Sequence, residues 1–437
     1  MSSETELTIF QRFARLHTLT TSWYLWLSGL ARLPISMINL GTLTLVSSVT
    51  GSFIFGGIAT AAAGLGNAIG GPIVGAISDR SGQRVVMNVT VIVNILALLG
   101  MLIAAFNHPE LSAWWMITAA GLAGLSTPQV APLGRARWMA VTELANPGKP
   151  INQRRDLDTA LSFESTLDEL GFALGPAFVG IIAGIFNPPL AIGFAALFVL
   201  VFATAFANHP IAATVHKYQQ SALAEQRQRK LENAEGQEQA AERWWTQIIF
   251  PVIGMVGQGT FFGATGVAVL AYTYSQGLGD SGGLLYGAMG LVSGFAALSV
   301  ASWPVNFTNR ARWLASAVLL SILTWILASQ AESPLWVVLL LLLLLGLPVG
   351  PTMVTTFSSV SEYTPPTRLA TAMTVTQAGI VLGLSVGNAI GGAWVEAEGA
   401  RGGFLLAAIA GSLIVVAASA NFVQKRIYHH GGLRVHA

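Results

Sequence analysis

The stretch from Gly71 to Phe106, GPIVGAISDRSGQRVVMNVTVIVNILALLGMLIAAF, joins a short charged segment to a long apolar one. Residues 86–106 carry no charged side chain, and a helix of that length can cross the roughly 30 Å hydrocarbon core of a bilayer. A spanning strand is excluded, because an open sheet leaves backbone groups unpaired in lipid and the two-residue alternation of a barrel is absent. The stretch therefore predicts a membrane helix that follows a charged junction.

The composition of the whole chain supports a membrane protein. Hydrophobic residues make up 53% of the 437 positions and charged residues 10%, whereas soluble domains have roughly 25% charged residues. The net charge of +2 arises from basic residues in short loops rather than from a basic surface, so no nucleic-acid partner is expected. The chain has no cysteine, which excludes disulfides and thiol chemistry.

Apolar runs long enough to cross a bilayer recur along the whole sequence. About twelve can be marked, which predicts an all-α membrane protein of two pseudo-symmetric six-helix bundles. The longest polar insert divides them equally and predicts a first bundle at 1–208, a partly helical cytoplasmic linker at 209–245 and a second bundle with a short tail at 246–437. The expected spans are 22–43, 52–77, 86–106, 113–134, 160–185, 188–208, 246–273, 283–304, 312–330, 334–357, 369–394 and 402–423.

The positions of Lys and Arg predict the orientation. If the N-terminus is cytoplasmic, Arg80, Lys149, Arg310 and Arg312 all lie in loops on the inner side, whereas the outer loop around His108 has no basic residue. Basic residues concentrate in the cytoplasmic loops of membrane proteins. We therefore expect cytoplasmic termini and a multi-pass protein of the plasma or inner membrane.

The charged junction has a regular spacing of glycines and charges. Two of the glycines keep one helix face thin enough for close packing, and the third permits a tight turn. The carboxylate can join the two arginines in a charge network, or favour the N-terminus of a nearby helix; a loop that only anchors topology is the alternative. The residues concerned are Gly71, Gly75, Asp79, Arg80, Gly82 and Arg84.

This spacing, G-x-x-x-G-x-x-x-D-R-x-G-x-R, resembles the loop signature of the major facilitator superfamily. The resemblance implies the twelve-helix fold of that family and transport by alternating access. It also implies that Asp79 contacts the start of the eleventh span, near Arg368, and helps to latch one conformation.

Small residues in the fifth span resemble a second family pattern. Gly171, Gly175, Pro176 and Gly180 partly match the glycine-proline antiporter signature of drug-exporting members, and glycines 379, 383, 387, 391 and 392 repeat the spacing in the eleventh span. Such spacing allows close helix packing, and internal repeats of this kind build two bundles around a central site. More broadly, stretches around Arg32, Arg135 and Glu164 resemble actinobacterial drug and metabolite efflux-type members.

Several charges fall inside or beside the apolar runs, where an ionised side chain costs at least ~2.5–3.5 kcal/mol. Glu164 and Asp168 are four residues apart and share one helix face, so their mutual repulsion favours holding a proton. Arg32 and nearby arginines can pair with them and exchange partners on protonation; a permanent structural salt bridge is the alternative. The candidates for proton coupling or substrate binding are Arg32, Glu164, Asp168, Glu169, Arg135 and Arg137.

The second half is expected to have almost no buried charge and to offer apolar, aromatic and amide contacts instead. Its polar cavity candidates are Gln258, Tyr272, Gln377 and Asn388. Amides at such positions can also serve only to join helices.

No nucleotide-binding, metal-ligand or hydrolase signature is present, so neither a cofactor, a metal nor enzymatic activity is expected. We expect a monomer in membrane lipid that exports a small amphipathic compound, such as a drug, sugar or metabolite, in exchange for protons. Proton-coupled uptake is the first alternative. An integral-membrane enzyme or lipid-handling protein is the alternative of another class.

Overall fold

The computed structural model describes residues 8–232, 244–278, 282–304 and 306–430. Helices are the only regular secondary structure within these ranges. A π turn, Val199–Ala203, joins α9 to α10, and a short 3₁₀ turn, Val300–Ser302, follows α13. In chain order the helices are α1 Ile9–Leu19, α2 Ser22–Leu30, α3 Leu33–Thr50, α4 Phe53–Ser81, α5 Gln83–Phe106, α6 Ala113–Leu125, α7 Val130–Ala145, α8 Pro150–Ile185, α9 Pro188–Phe198, α10 Thr204–Asn208, α11 Ile211–Glu232, α12 Trp244–Ser275, α13 Gly282–Ser299, α14 Asn309–Ser329, α15 Leu335–Tyr363, α16 Leu369–Glu398 and α17 Ala400–His430.

Eleven spans in the described ranges are long and apolar enough to cross a membrane. The predicted span at 113–134 is not among them, because α6 ends at Leu125 and α7 begins only at Val130. Pro128 lies between them, and a proline that lacks the N–H donor interrupts a helix. A total of about twelve crossings therefore stays a prediction, which requires α6 and α7 to cross together.

The first span is also broken, about one third of the way along it. It runs over Ser22–Thr50, but α2 ends at Leu30 and α3 begins at Leu33. Pro34 lies in the first turn of α3, where a missing N–H costs no intrahelical hydrogen bond. The break leaves Arg32 at the junction of the two helices, inside a span that has no other charged residue.

The described chain divides into two compact units. One contains residues 8–232 with the short segments 298–304 and 366–374, and the other contains 244–278, 282–297, 306–365 and 375–430.

Glycines set the helix packing inside each unit. In the first unit, a Cβ added to Gly124 of α6 would lie 1.9 Å from the Ala63 carbonyl of α4. In the second, a Cβ on Gly383 of α16 would lie 2.0 Å from the Val256 carbonyl of α12. Side chains at these positions would separate the backbones, whereas glycine allows dispersion contacts along both crossings.

The predicted cytoplasmic linker begins as an ordered helix. α11 packs on α7 and α5, and Val215 and Gln219 are buried there. Residues 233–243, which include the rest of the charged insert, lie outside the described residues.

The N-terminal segment, expected as a cytoplasmic tail, also forms a helix. Thr8 and Gln11 form a reciprocal cap at the start of α1, which satisfies backbone N–H groups that a helix start leaves open. Arg15 then pairs with Asp156 of α8 at 2.8 Å. α1 is therefore anchored to the first unit.

The expectation of almost no buried charge in the second half is wrong. Arg310 and Arg312, assigned to a loop, lie within the first turn of α14 and are buried. The guanidinium of Arg310 lies 4.5 Å from the centre of the Tyr363 ring and donates to the Asn421 carbonyl at 3.1 Å. Aromatic stacking and backbone acceptors make the burial of an arginine tolerable.

Candidate functional site

The strongest candidate site is a cluster of four charged side chains inside the first unit. Arg32 stands at the break between α2 and α3 and is only 3% exposed, and Glu164 on α8 is fully buried. Asp168 lies one helical turn further along α8, on the same face as Glu164. Arg135 of α7 completes the cluster and is also fully buried.

The arginines bridge the two carboxylates. Arg32 donates from Nη1 to Asp168 Oδ1 at 3.0 Å and from Nη2 to Glu164 Oε2. Its Nη1 also donates to the Glu164 backbone carbonyl at 2.6 Å. Arg135 donates from Nη2 to the other oxygen of Asp168. Each carboxylate of the cluster thus has an arginine partner, and the exchange of these partners on protonation stays a prediction.

Two uncharged donors also belong to the cluster, and neither was predicted. Trp138 donates from Nε1 to Glu164 Oε1 at 2.8 Å, and Ser28 donates to the same oxygen at 3.2 Å. Their positions in the sequence could have indicated them, because Trp138 follows Arg135 by three residues and Ser28 precedes Arg32 by four. Such intervals place side chains on one helix face.

The described cluster balances its charges. With all four groups ionised, two positive side chains face two negative ones, which is the condition under which buried charges are tolerated. Adding or removing one proton would leave an uncompensated charge in a region of low polarity. The arrangement can therefore respond to a proton or to a charged ligand by changing its ion pairs.

Arg137 does not join this cluster, in contrast to the prediction. Its guanidinium donates to Gln83 Oε1 and to the Phe206 carbonyl, both at 2.8 Å, and lies 3.9 Å from the centre of the Phe206 ring. Because Arg137 is two residues from Arg135, it points to a different side of α7. The side chain of Glu169 lies outside the described residues.

A histidine lies next to Arg137, just beyond the span that ends at Asn208. The ring of His209 lies 5.1 Å from that of Tyr24, and its Nε2 is 3.4 Å from the Thr21 hydroxyl. Burial lowers the pKa of His209, and the positive charge of Arg137 lowers this pKa further. The neutral imidazole is therefore the form that this site favours.

Asp79 of the junction motif contacts the N-terminus of α16. Its carboxylate accepts hydrogen bonds from the backbone N–H groups of Ala370 at 3.0 Å and Thr371 at 2.8 Å, and from the Thr371 hydroxyl at 2.6 Å. Gln219 of α11 donates to it at 2.9 Å. A carboxylate at a helix N-terminus accepts hydrogen bonds from the unpaired backbone N–H groups there, and its negative charge interacts favourably with the positive end of the helix dipole.

The expected network between Asp79 and the motif arginines does not form. Arg84 instead donates to Asn208 at 2.8 Å, and Arg80 is exposed.

The motif glycines behave as packing and turn residues. A Cβ on Gly75 would lie 2.8 Å from the Ala370 carbonyl, and Gly82 has a φ of +85°. At Gly71 a Cβ would meet the amide of Gln129 at 3.2 Å.

Only part of the antiporter-like pattern makes a close helix contact. A Cβ on Gly175 would lie 2.5 Å from Ser36 Cβ of α3, whereas one on Gly171 would make ordinary contact and one on Gly180 would meet nothing within 4 Å. The side chain of Pro176 lies outside the described residues.

The polar candidates of the second unit have different environments. Gln258 is 1% exposed, and neither atom of its amide has a hydrogen-bond partner within the part of the chain that the structure describes. Tyr272 donates to the Ser333 carbonyl at 2.7 Å and thereby joins the end of α12 to the loop between α14 and α15. Gln377 is half-buried, and Asn388 is exposed.

Comparison with known proteins identifies the family. A family model described as the Major Facilitator Superfamily matches residues 24–327 and, in a second match, residues 252–432. The chain belongs to the major facilitator superfamily. The superfamily hit and the candidate spans together make it a multi-pass membrane protein with the all-helical fold of secondary transporters. They point to a transporter of a small-molecule substrate rather than to an enzyme.

Solved structures share the fold over nearly the whole chain. The human organic anion transporter MFSD10 is 18% identical, with 90% of this chain and 98% of that chain covered and a TM-score of 0.64. The proton:xylose symporter XylE is 15% identical, with 91% and 94% covered and a TM-score of 0.65. A bacterial homologue of the iron transporter ferroportin is 13% identical, with 95% and 100% covered and a TM-score of 0.66.

These identities show the fold alone. No curated protein matches the chain by sequence. The resemblance to actinobacterial efflux-type members stays a prediction.

Proposed function

We propose that this chain is a proton-coupled secondary transporter of a small amphipathic compound in the plasma or inner membrane. The observation that supports the proposal is the buried cluster of Arg32, Arg135, Glu164 and Asp168. An ionised group in hydrocarbon is costly and marks an ion or substrate pathway more often than a structural contact. In this account protonation of a carboxylate releases an arginine, and the released arginine favours a different arrangement of the helices.

Two directions of transport follow from different observations. The glycine-proline pattern of the fifth span resembles that of exporters, and its Gly175 supports a close crossing of α8 and α3. The charge balance of the cluster favours uptake, because a proton and an anionic solute bound together would keep it neutral. We retain export by proton exchange as the first candidate and uptake with a proton as the second.

The proposal is tested with purified protein in liposomes that contain a pH-sensitive dye. A library of small amphipathic acids, amines and neutral compounds is added outside, with no imposed pH difference. A transported compound should change the internal pH, since its own gradient drives protons. Acidification of the interior would indicate symport, and alkalinisation would indicate exchange.

Protein-free liposomes control for weak acids and bases that cross lipid unaided. The proposal fails if no compound moves protons in the protein-containing liposomes beyond this background. Turnover of a lipid by the purified protein would favour the enzyme alternative instead.

A further inference from the structure

An apolar groove of about 430 Å³ runs along the first unit between α8 and the paired helices α2 and α3. Leucines from all three helices form its walls, together with Trp26 and Phe163. Its volume lies in the range of roughly 300–1,000 Å³ that small-molecule sites occupy.

The groove lies directly beside the charged cluster. Gly29 and Leu33 line it and flank Arg32 in the chain, and Gly171 lines it from α8. A Cβ on Gly171 would lie 3.9 Å from Arg32 Cβ. A small residue, Gly171, therefore separates this apolar surface from the buried Arg32, and a charged group next to an apolar wall suits an amphipathic ligand.

The charges around the groove favour an anionic ligand. Among the residues that line it, His17 is the one ionisable side chain in the described structure, and no carboxylate lines it. The neighbouring cluster is neutral when all four groups are ionised. One added proton would leave it with an excess positive charge, which an anion can neutralise.

The described groups that face Arg32 in the cluster come from α2, α7 and α8. α2 contributes Ser28, which donates to Glu164, and the fully buried Tyr24. α7 contributes Arg135 and Trp138, and α8 contributes Glu164 and Asp168. Of these groups only the two carboxylates are free to take up a proton, because arginine and tyrosine already carry theirs.

We propose that the groove binds the apolar body of a small organic anion, such as an arylalkyl carboxylate, whose charged group pairs with Arg32 or Arg135 when the cluster has taken up one proton. The inference rests on the second candidate of the proposed function, uptake of a solute together with a proton, and assigns the substrate class of that same site. Solvent supplies the proton, which binds to an oxygen of Asp168 or Glu164. No other bond is made or broken.

Direct binding tests the substrate class. The detergent-solubilised protein is titrated calorimetrically with phenylbutanoate and with the amine and the alcohol of the same carbon skeleton. We expect binding of the carboxylate alone, tighter by about tenfold for each unit of decreasing pH over the range in which the free cluster is unprotonated. Buffers of different ionisation enthalpy should show the uptake of one proton with each ligand bound.

Substitutions on α8 test the location. Gly171→Leu should fill the groove and weaken carboxylate binding at least tenfold, whereas Gly180→Leu, the same change on the same helix at an open position, should not. If Gly171→Leu does not fold, Leu174→Trp replaces it as the test variant. This substitution narrows the groove from an exposed position and should also weaken carboxylate binding.

Several results would overturn the inference. They are equal or better binding of the amine or the alcohol, carboxylate affinity that does not change with pH, no binding of any of the three probes, or normal binding by folded Gly171→Leu or Leu174→Trp. A bound phospholipid that competes with the carboxylate and is lost in Gly171→Leu would show a lipid site instead. Carboxylate binding without proton movement in liposomes would leave the groove assigned and remove the proposed function.

Discussion

At the residue scale, Trp138 tests the importance of the neutral donors in the cluster. Replacing Trp138 by Phe removes the hydrogen bond of 2.8 Å to Glu164, a fully buried carboxylate. Loss of a donor to a buried charged group costs about 1–3 kcal/mol, so we expect a lower unfolding temperature in detergent. Trp325→Phe is the matched control, since the exposed Trp325 donates at 3.0 Å to the uncharged Ser412. Equal effects of the two substitutions would contradict a special role for Trp138.

His209 makes stability depend on pH. Its pKa is lowered in the folded protein by burial and by Arg137, whereas an unfolded histidine has a pKa of about 6.5. The unfolded chain therefore binds a proton first as the pH falls below about 6.5, and stability is lost on acidification. Thermal unfolding between about pH 8 and 5.5 should show a smaller loss for His209→Gln than for the wild type. An identical loss would show that His209 does not titrate differently on unfolding.

The sequence predicted the charged residues of the cluster better than their partners. Arg32, Glu164 and Asp168 stand out because ionised side chains are rare in apolar runs. The partners depend on helix rotation, which is why Arg135 enters the cluster and Arg137 does not. Ser28 and Trp138 carry no charge, so they attract no attention in a membrane sequence until the carboxylate they contact is known.

At the scale of elements, the crossing of α3 and α8 depends on a single glycine of the antiporter-like pattern. Gly175→Ala places a Cβ 2.5 Å from Ser36 Cβ, and overpacking of this kind costs typically about 1–3 kcal/mol. Gly180→Ala on the same helix meets nothing within 4 Å and should not destabilise the protein. Thermal unfolding of both variants measures the difference, and equal stability would contradict the crossing.

Helix ends were predicted less well than helix positions. The apolar length of a span is visible in the sequence, whereas the break between α2 and α3 and the gap between α6 and α7 depend on Pro34 and Pro128 in their local settings. Other prolines, such as Pro72 and Pro251, lie inside continuous helices. A proline in a membrane sequence therefore does not by itself reveal whether neighbouring groups satisfy the backbone it leaves open.

At the scale of the whole molecule, the orientation and the number of crossings can be tested together. The chain has no cysteine, so a single introduced cysteine can be labelled selectively. Glu110→Cys and Lys149→Cys lie at exposed positions before α6 and after α7. In intact cells a membrane-impermeant maleimide should label the first and reach the second only after permeabilisation. Labelling of both from one side would contradict a crossing by α6 and α7.

The family and the general fold could be predicted from the sequence because both depend on features that a sequence displays directly. These features are the lengths of the apolar runs, the distribution of Lys and Arg, and the spacing from Gly71 to Arg84. The buried Arg310 and Arg312 were missed, since basic residues next to an apolar run are indistinguishable from a cytoplasmic loop when only the sequence is known.

The central claim, that the buried cluster couples solute movement to protons, is tested most directly by one comparison in liposomes. Solute-dependent proton movement is measured for Asp168→Asn and for the control Asp156→Asn. Asp156 lies on the same helix as Asp168, near the N-terminus of α8, and its carboxylate pairs with Arg15 rather than with the cluster. We predict that proton movement is lost in folded Asp168→Asn and retained in Asp156→Asn. Undiminished proton movement in Asp168→Asn would contradict the account.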